Sequence, residues 1–447
     1  MQMMRIPTVR GAVILACLGG TLAGMFSDRA CAQAGEGQSS PAGRLGDESG
    51  RRATARELII KATAYLKSRQ DASTGGWKTE GTGPKFPAIT GLVLTGMLLD
   101  PGASGSDPVI AQGVKYLLST QKADGGIYDS NLPSYNTSIS VCALTKVKTA
   151  ESDAAVKRAV EFLRSLQCGE GAAGTSQNHQ ESGVVVDKDH PFYGGVGYGR
   201  HGRPDLSNLG WMLEALHEAG VEGSDEAFKR AVVFLQRTQM LEKTADGTPV
   251  NTMEYAQGTR QGGFIYSTSV NKDQVGVGQS MPKDMIEESM DDGTKVSRLR
   301  CYGSMTYTGF KSYLYADLPR DDARVQAALG WMRDHYTVDE NPGMGKEGLY
   351  YYYVVMSRAL AAWGEPELAV RVGEPGPAGS APSKAGDVVR PVRWADDLIA
   401  RLSELQQEDG SFKSVSERWM ENDPVLITAY ALIALRYAER YEGGQGG

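Results

Sequence analysis

Tyr65-Leu66-Lys67-Ser68-Arg69-Gln70, followed shortly by Gly75-Gly76-Trp77, is the phrase on which the reading of this chain turns. It returns as Tyr116-Leu117 to Gln121 with Asp124-Gly125-Gly126-Ile127-Tyr128, and as Phe162-Leu163 to Gln167 with Tyr193-Gly194-Gly195-Val196-Gly197-Tyr198 displaced down the chain. Further copies are Phe234-Leu235 to Gln239 with Gly262-Gly263-Phe264-Ile265-Tyr266, a degenerate Trp331-Met332 to Tyr336, and Leu402 to Gln406 with Asp409-Gly410-Ser411-Phe412. Self-similarity of this kind marks one supersecondary unit stacked on itself.

Around each phrase the chain offers two kinds of helix. The segments that carry the phrase, such as 154–167 and 226–239, put charge on one side and an apolar stripe on the other, as a solvated helix requires. The segments that follow each turn (88–99, 137–148, 206–219, 304–316, 349–363 and 425–437) are apolar or small nearly all round, which suits a helix with neighbours on every side. Asp107-Pro108, Ser224-Asp225 and Asp423-Pro424 supply N-cap chemistry, and Gly102, Gly220 and Gly364 stand where a left-handed terminator is wanted. The expected fold is all-α, an α/α toroid of six hairpins forming an inner and an outer ring, with strand-like alternation nearly absent.

The copies are unevenly spaced, and the excess residues sit in definite places. Insertions 169–204 and 240–302 fall between outer and inner helices, whereas 371–391, rich in Pro, Gly, Ala and Ser, lengthens a return and reads as a solvated linker. In a closed ring of hairpins every outer-to-inner loop lies on one rim, so two large insertions crowd one mouth and mark it as the functional face. The expected organisation is a signal peptide over 1–32, a disordered linker over 33–55, the toroid over 56–441 and a flexible tail over 442–447.

The bulk properties fix the class. The chain has 447 residues, 41% hydrophobic and 23% charged, with a formal charge of -7. That is ample for a sizeable core and argues against a nucleic-acid partner, because no Lys/Arg block follows a phosphate backbone. Arg5 and Arg10, the apolar run 11–25 and the small residues Ala30-Cys31-Ala32 have the three parts of an export signal. An exported location, periplasmic or secreted, is therefore expected. Cleavage there leaves Cys142, Cys168 and Cys301, too few for a disulfide scaffold, and Cys142 reads as a small buried hydrophobe.

The aromatic-Leu-x-x-x-Gln phrase followed by Gly-Gly-Trp resembles the QW-type repeat of the terpene cyclase and protein prenyltransferase superfamily, over roughly residues 56–441. The resemblance implies the α/α toroid. Squalene-type cyclases protonate an alkene with Asp-x-Asp-Asp; the nearest strings here, Asp187-Lys188-Asp189 and Asp291-Asp292, lack that spacing and sit in polar loops. Such cyclases are also lined with aromatic rings, and 8% aromatic content disfavours a polycyclisation chamber. Protein prenyltransferases hold zinc by Asp, Cys and His. Cys301-Tyr302 resembles their Cys-Tyr, but Leu299 stands at the Asp place and Tyr350 to Tyr353 at the His place, so no metal or cofactor is expected. Cys168-Gly169-Glu170-Gly171 resembles a thioester motif without the Gln that closes it.

The candidate site then rests on geometry. Inner helices point their positive N-terminal ends at the crowded mouth, and the polar residues there are Asn136, Asp205, Asn208, Cys301, Glu347 and Asp423. Asp205 and Asp423 are the candidate general acids or bases, against the alternative that each only caps its helix. Tyr350 to Tyr353 wrap a full turn, so one or two face the lumen, with Tyr351 a mouth candidate. His179, His190 and His201 share insertion 169–204 without compact metal spacing and read as a mobile surface loop. The leading expectation is a binding or recognition scaffold using lumen and rim. The alternatives are an enzyme acting on an isoprenoid or other apolar lipid, and a carbohydrate-active α/α barrel. An apolar or isoprenoid ligand or another exported protein is the expected partner, with peripheral contact at a membrane surface compatible with either.

Overall fold

The computed structural model describes residues 48–79, 86–171, 183–199, 202–277, 285–290, 292–371 and 389–442. The leader-like segment, Cys17, Cys31, His179, His201, Asp291 and the tail 443–447 lie outside these residues.

Among the described residues, twelve α-helices alternate as the repeat requires. The outer helices are α1 (Glu48–Ser68), α3 (Pro108–Ser119), α5 (Ala150–Ser165), α7 (Glu226–Thr238), α9 (Ala323–Asp334) and α11 (Trp394–Leu405). The inner ones are α2 (Pro87–Leu98), α4 (Pro133–Leu144), α6 (Leu206–Glu218), α8 (Gly303–Tyr315), α10 (Leu349–Trp363) and α12 (Pro424–Glu442). Each inner helix packs on the next, and α12 packs back on α2, so the inner ring closes. The two series bury differently, as their composition demands. In α2 every residue but Leu98 is buried, whereas α3 buries only Ile110, Gly113, Val114 and Leu117.

The repeated glutamines hold this ring together. Each uses its side-chain amide to donate to a carbonyl of its own turn and to a carbonyl of the next outer helix. Gln70 reaches Gly75 and Val109, Gln121 reaches Gly125 and Ala155, and Gln167 reaches Gly194 and Ala227, all at 2.7–3.0 Å. Gln239 reaches Gly262 and Arg324. Gln406 reaches Gly410 and, across the ring seam, Leu58 of α1 at 2.9 Å. The degenerate fifth copy has Tyr336 instead, whose hydroxyl donates to Asp397 of α11 at 3.3 Å. Threonines of the inner helices fix the turns from the other side. Thr90, Thr137, Thr306 and Thr428 accept from the backbone N–H of Trp77, Ile127, Phe264 and Phe412.

Caps follow the expectation at Asp107, Asp225 and Asp423, whose carboxylates accept N–H groups of Val109, Ala227 and Leu426. Gly220 and Gly364 adopt φ of 77° and 81°, but Gly102 does not enter the left-handed region; its N–H donates to the Asp100 carboxylate.

Three boundaries differ from the sequence reading. α1 begins at Glu48, inside the stretch read as linker, where Arg51 pairs with Asp396 at 3.0 Å. The return over 371–391 is framed by an antiparallel pair, β3 (Glu367–Arg371) and β4 (Val389–Arg393), because Leu368, Val370 and Val392 alternate inward onto the core. A second pair, β1 (Met285–Ser289) and β2 (Lys295–Leu299), lies within insertion 240–302. The described part of insertion 169–204 is not a loose surface loop either. Val184, Val186, Phe192 and Tyr193 form a small cluster with Cys168, and Gly194 (φ 80°) lies so close to the Arg230 carbonyl of α7 that no side chain fits.

Candidate functional site at the barrel mouth

A cavity of about 310 Å³ opens at the N-terminal ends of the inner helices. Its wall is aromatic: Phe86, Tyr135, Tyr198, Tyr266, Tyr302, Tyr351, Trp419 and Tyr430, completed by Ile89, Leu92, Met305 and Leu426. Every rim loop contributes through the repeat geometry. Insertion 169–204 delivers Tyr198, insertion 240–302 delivers Tyr266 and Tyr302, and the last rim loop delivers Trp419, Met420 and Glu421. The expectation that the long connections gather at one mouth is met by these residues.

Most of the hydroxyls are paired, Tyr135 with Tyr430 among them. Tyr198 and Tyr266 share a hydrogen bond at 3.2 Å, and Tyr351 meets Ser207 at 3.1 Å. Tyr351 and Tyr430 rings lie 6.1 Å apart, and Tyr135 is 6.4 Å from Tyr198 and edge-on to Trp211 at 5.9 Å. Burial raises the Tyr198 phenol to about 12 and pushes Tyr266 and Tyr302 well above the usual range, so these groups stay protonated.

Two carboxyls serve this wall. Asp205 caps α6, accepting the N–H of Asn208 at 2.9 Å and its side-chain amide at 2.8 Å, with the Tyr266 hydroxyl also bonded to it. Burial lifts it to about 6 against those stabilising bonds. Glu421 lines the cavity directly and accepts the N–H groups of Leu349, Tyr350 and Tyr351 at 3.0–3.1 Å, closing the first turn of α10. Burial nevertheless lifts it to about 7. Both acids therefore titrate nearer neutral pH than exposed carboxyls do, in an apolar setting.

The sequence candidates divide. Tyr351 lines the cavity, and Asp205 stands one layer behind it, bonded to Tyr266 of the wall. Asp423 does not line it: Pro424 starts α12 and leaves the carboxylate capping Leu426 at 2.9 Å, as the capping alternative foresaw. Glu421, two residues earlier, was the residue missed. Asn136 is a staple between inner helices, accepting from Ala88 N–H and donating to the Asn131 and Leu132 carbonyls. Asn208 serves Asp205. Cys301 is buried beneath Gln261, which accepts its N–H, and burial raises its thiol far above the ordinary range. Glu347 stands at the rim, paired with Arg418 at 2.5 Å. Tyr350, Tyr352 and Tyr353 point away, each donating to a loop carbonyl. Cys142, Cys168 and Cys301 are all buried thiols, and among the described residues none forms a disulfide. His190 accepts the Phe192 N–H, and Asp187 caps the turn leading to it.

Below the cavity the lumen changes character. Trp211 sits edge-on to Tyr135 and carries the Arg358 guanidinium 4.9 Å from its ring centre on another side. Glu214 of α6, Lys311 of α8 and Arg358 of α10, all nearly fully buried, then form an ionic cluster, joined by the Tyr315 hydroxyl at 3.3 Å from Glu214.

Comparison with known proteins places this architecture. Residues 82–257 match the family described as squalene-hopene cyclase C-terminal domain. A squalene–hopene cyclase of Bradyrhizobium diazoefficiens is 26% identical over 191 residues, covering 41% of this chain and 28% of that protein, so the match spans little more than a quarter of the relative. Among solved structures, an unsaturated glucuronyl hydrolase specific for heparin superposes over 87% of this chain and 97% of its own, with TM-score 0.50 and 13% identity. The type II terpene cyclase MstE from Scytonema covers 87% and 98%, with TM-score 0.45 and 11% identity. Repeats and the partial family match bear out the squalene-cyclase side of the resemblance read from the sequence, and the fold is the α/α toroid expected of it.

Proposed function

We propose that this chain is an exported toroid that takes up an apolar, isoprenoid-like ligand in its mouth cavity and acts by holding it. One observation carries the reading: the site is a preformed pocket walled by ring faces and aliphatic side chains, with the Tyr198, Tyr266 and Tyr351 hydroxyls already bonded within the wall. Such a wall gains free energy from hydrocarbon and little from a sugar, whose hydroxyls would find few open partners. Val415, Trp419 and Met420, all exposed on the loop that borders the cavity, suit uptake from a lipid surface. Residues 1–32, read as a leader, put that encounter outside the cytoplasm.

A specific observation favours a second reading, acid chemistry on the same ligand. Asp205 and Glu421 are raised to about 6 and about 7, the state a proton donor needs in an apolar pocket.

Farnesol titrated into the purified protein, followed by tryptophan fluorescence and calorimetry, should bind in the micromolar range, about 8 kcal/mol. Leu92→Trp, which fills the cavity, should abolish binding while leaving the melting profile helical. No saturable binding to the wild type would sink the uptake reading. A cyclised or hydrated product would promote the second reading above the first, and Asp205→Asn and Glu421→Gln would then assign the donor.

A further inference from the structure

The wall of the mouth cavity has a sign as well as a texture. Eight aromatic side chains and Glu421 line it, and among the described residues neither a lysine, an arginine nor a histidine does. Asp205 stands one layer behind, close enough for its charge to act on Tyr198, Tyr266, Tyr302 and Tyr351. The nearby cations are already engaged. Arg203 donates to the carbonyls of Gln274 and Val277, and Arg418 pairs with Glu347 while stacking 4.3 Å from the Trp419 ring centre. Ring faces present negative quadrupole potential, and a desolvated cation gains most from them when several converge. A neutral hydrocarbon gains nothing from the two carboxyls. An anionic ligand would be repelled by them.

We propose that the ligand of the mouth cavity carries a fixed positive charge, a quaternary or tertiary ammonium on an apolar body, seated among Tyr135, Tyr302, Tyr351 and Tyr430 and faced by Glu421. The inference rests on the uptake reading above and narrows it from an apolar ligand to an amphiphilic cation. It implies a pH dependence. A cation favours the ionised carboxyls, so affinity rises with pH through the range in which Asp205 and Glu421 lose their protons. The groups that face Glu421 are the N-terminal amides of α10, Tyr350 and Tyr430; those that face Asp205 are Asn208, Tyr198, Tyr266, Tyr302, Tyr351 and Arg203. Among these only the two carboxyls change charge between pH 5 and 8.

The test is a pair of ligands that differ by one atom. Hexanoylcholine and its neutral carbon isostere, 3,3-dimethylbutyl hexanoate, are titrated into the full chain by calorimetry at pH 5 and pH 8. The cation should bind about tenfold more tightly than the isostere at pH 8, the gain expected of an aromatic cage with a carboxylate behind it. The ratio should shrink to about threefold or less at pH 5 as the carboxyls protonate. Glu421→Gln should lower the ratio at pH 8 without weakening the isostere, and Asp205→Asn serves as the second variant. Equal binding of the two ligands by the wild type at pH 8 would overturn the charge proposal alone, leaving the apolar reading intact. Failure of both to bind would overturn both.

Discussion

The two halves of the barrel lumen face the same geometric problem and answer it differently. At the mouth, inner-helix side chains stop short and leave space lined by rings, with one carboxyl on the wall and one behind it. Toward the opposite end, the same helices fill the axis with Glu214, Lys311 and Arg358. Trp211 stands between them, with Tyr135 against its edge and Arg358 against its face. The difference teaches that ring closure does not by itself produce a through-channel. A buried charge cluster is a floor: it is costly to open, because each member loses its counter-charge once separated. An aromatic wall is the reverse, stable with or without an occupant.

Three measurements would break or sharpen that contrast. Glu214→Ala leaves Arg358, and a Lys311 whose ammonium burial already disfavours, without their counter-charge and should cost about 3–5 kcal/mol in denaturant unfolding. Glu214→Gln should cost less, since it keeps the hydrogen-bond acceptor. A loss below ~1 kcal/mol for the alanine variant would mean that the floor is wet and not sealed.

The mouth should show itself through pH. In the unfolded chain Asp205 and Glu421 release their protons near their ordinary values, whereas the folded chain holds them to about 6 and about 7. The folded state therefore binds more protons in between, and this part of the stability is present at pH 5 and lost as pH rises through 7. The melting temperature should fall over that window, by an amount equivalent to on the order of 2 kcal/mol, and Glu421→Gln should flatten most of the slope. A profile in which stability rises with pH from 5 to 7 would contradict the burial of both acids.

The smallest effect separates the two kinds of tyrosine. Tyr315→Phe removes a hydroxyl from the Glu214 carboxylate and should cost about 1–2 kcal/mol, as for a bond to a charged acceptor. Tyr198→Phe breaks only neutral contacts, to the Tyr266 hydroxyl and the Asn208 amide, and should cost less, about 1 kcal/mol or under. Equal losses would erase the distinction between floor and mouth.

The architecture was legible because the repeat is written in residues that point at neighbours. Gln70, Gln121, Gln167, Gln239 and Gln406 recur since each must reach a carbonyl of the following hairpin, and the apolar series recurs since inner helices have no solvent face. The site was legible only in part. Asp205 could be found because a cap residue before an inner helix lies at the mouth by construction. Glu421 could not: it sits in a polar loop, in Glu421-Asn422-Asp423-Pro424, where the Asp-Pro cap signal draws attention two residues too far. Overall aromatic content misled in the same way. The count of rings says nothing of where they gather, and Tyr135, Tyr198, Tyr266, Tyr302, Tyr351 and Tyr430 come from five different stretches of chain. The hairpin of Leu368, Val370 and Val392 was hidden by its brevity, five residues a strand.

Because Gln406 binds Leu58 just as Gln70 binds Val109, the seam between last and first hairpin is chemically like any other joint. Such a molecule has an order of assembly but no privileged starting point. A circularly permuted chain that begins at Pro108, with residues 48 and 442 bridged by a short flexible tether, should regain the same ring and the same mouth, since no backbone hydrogen bond of the inner helices would be cut.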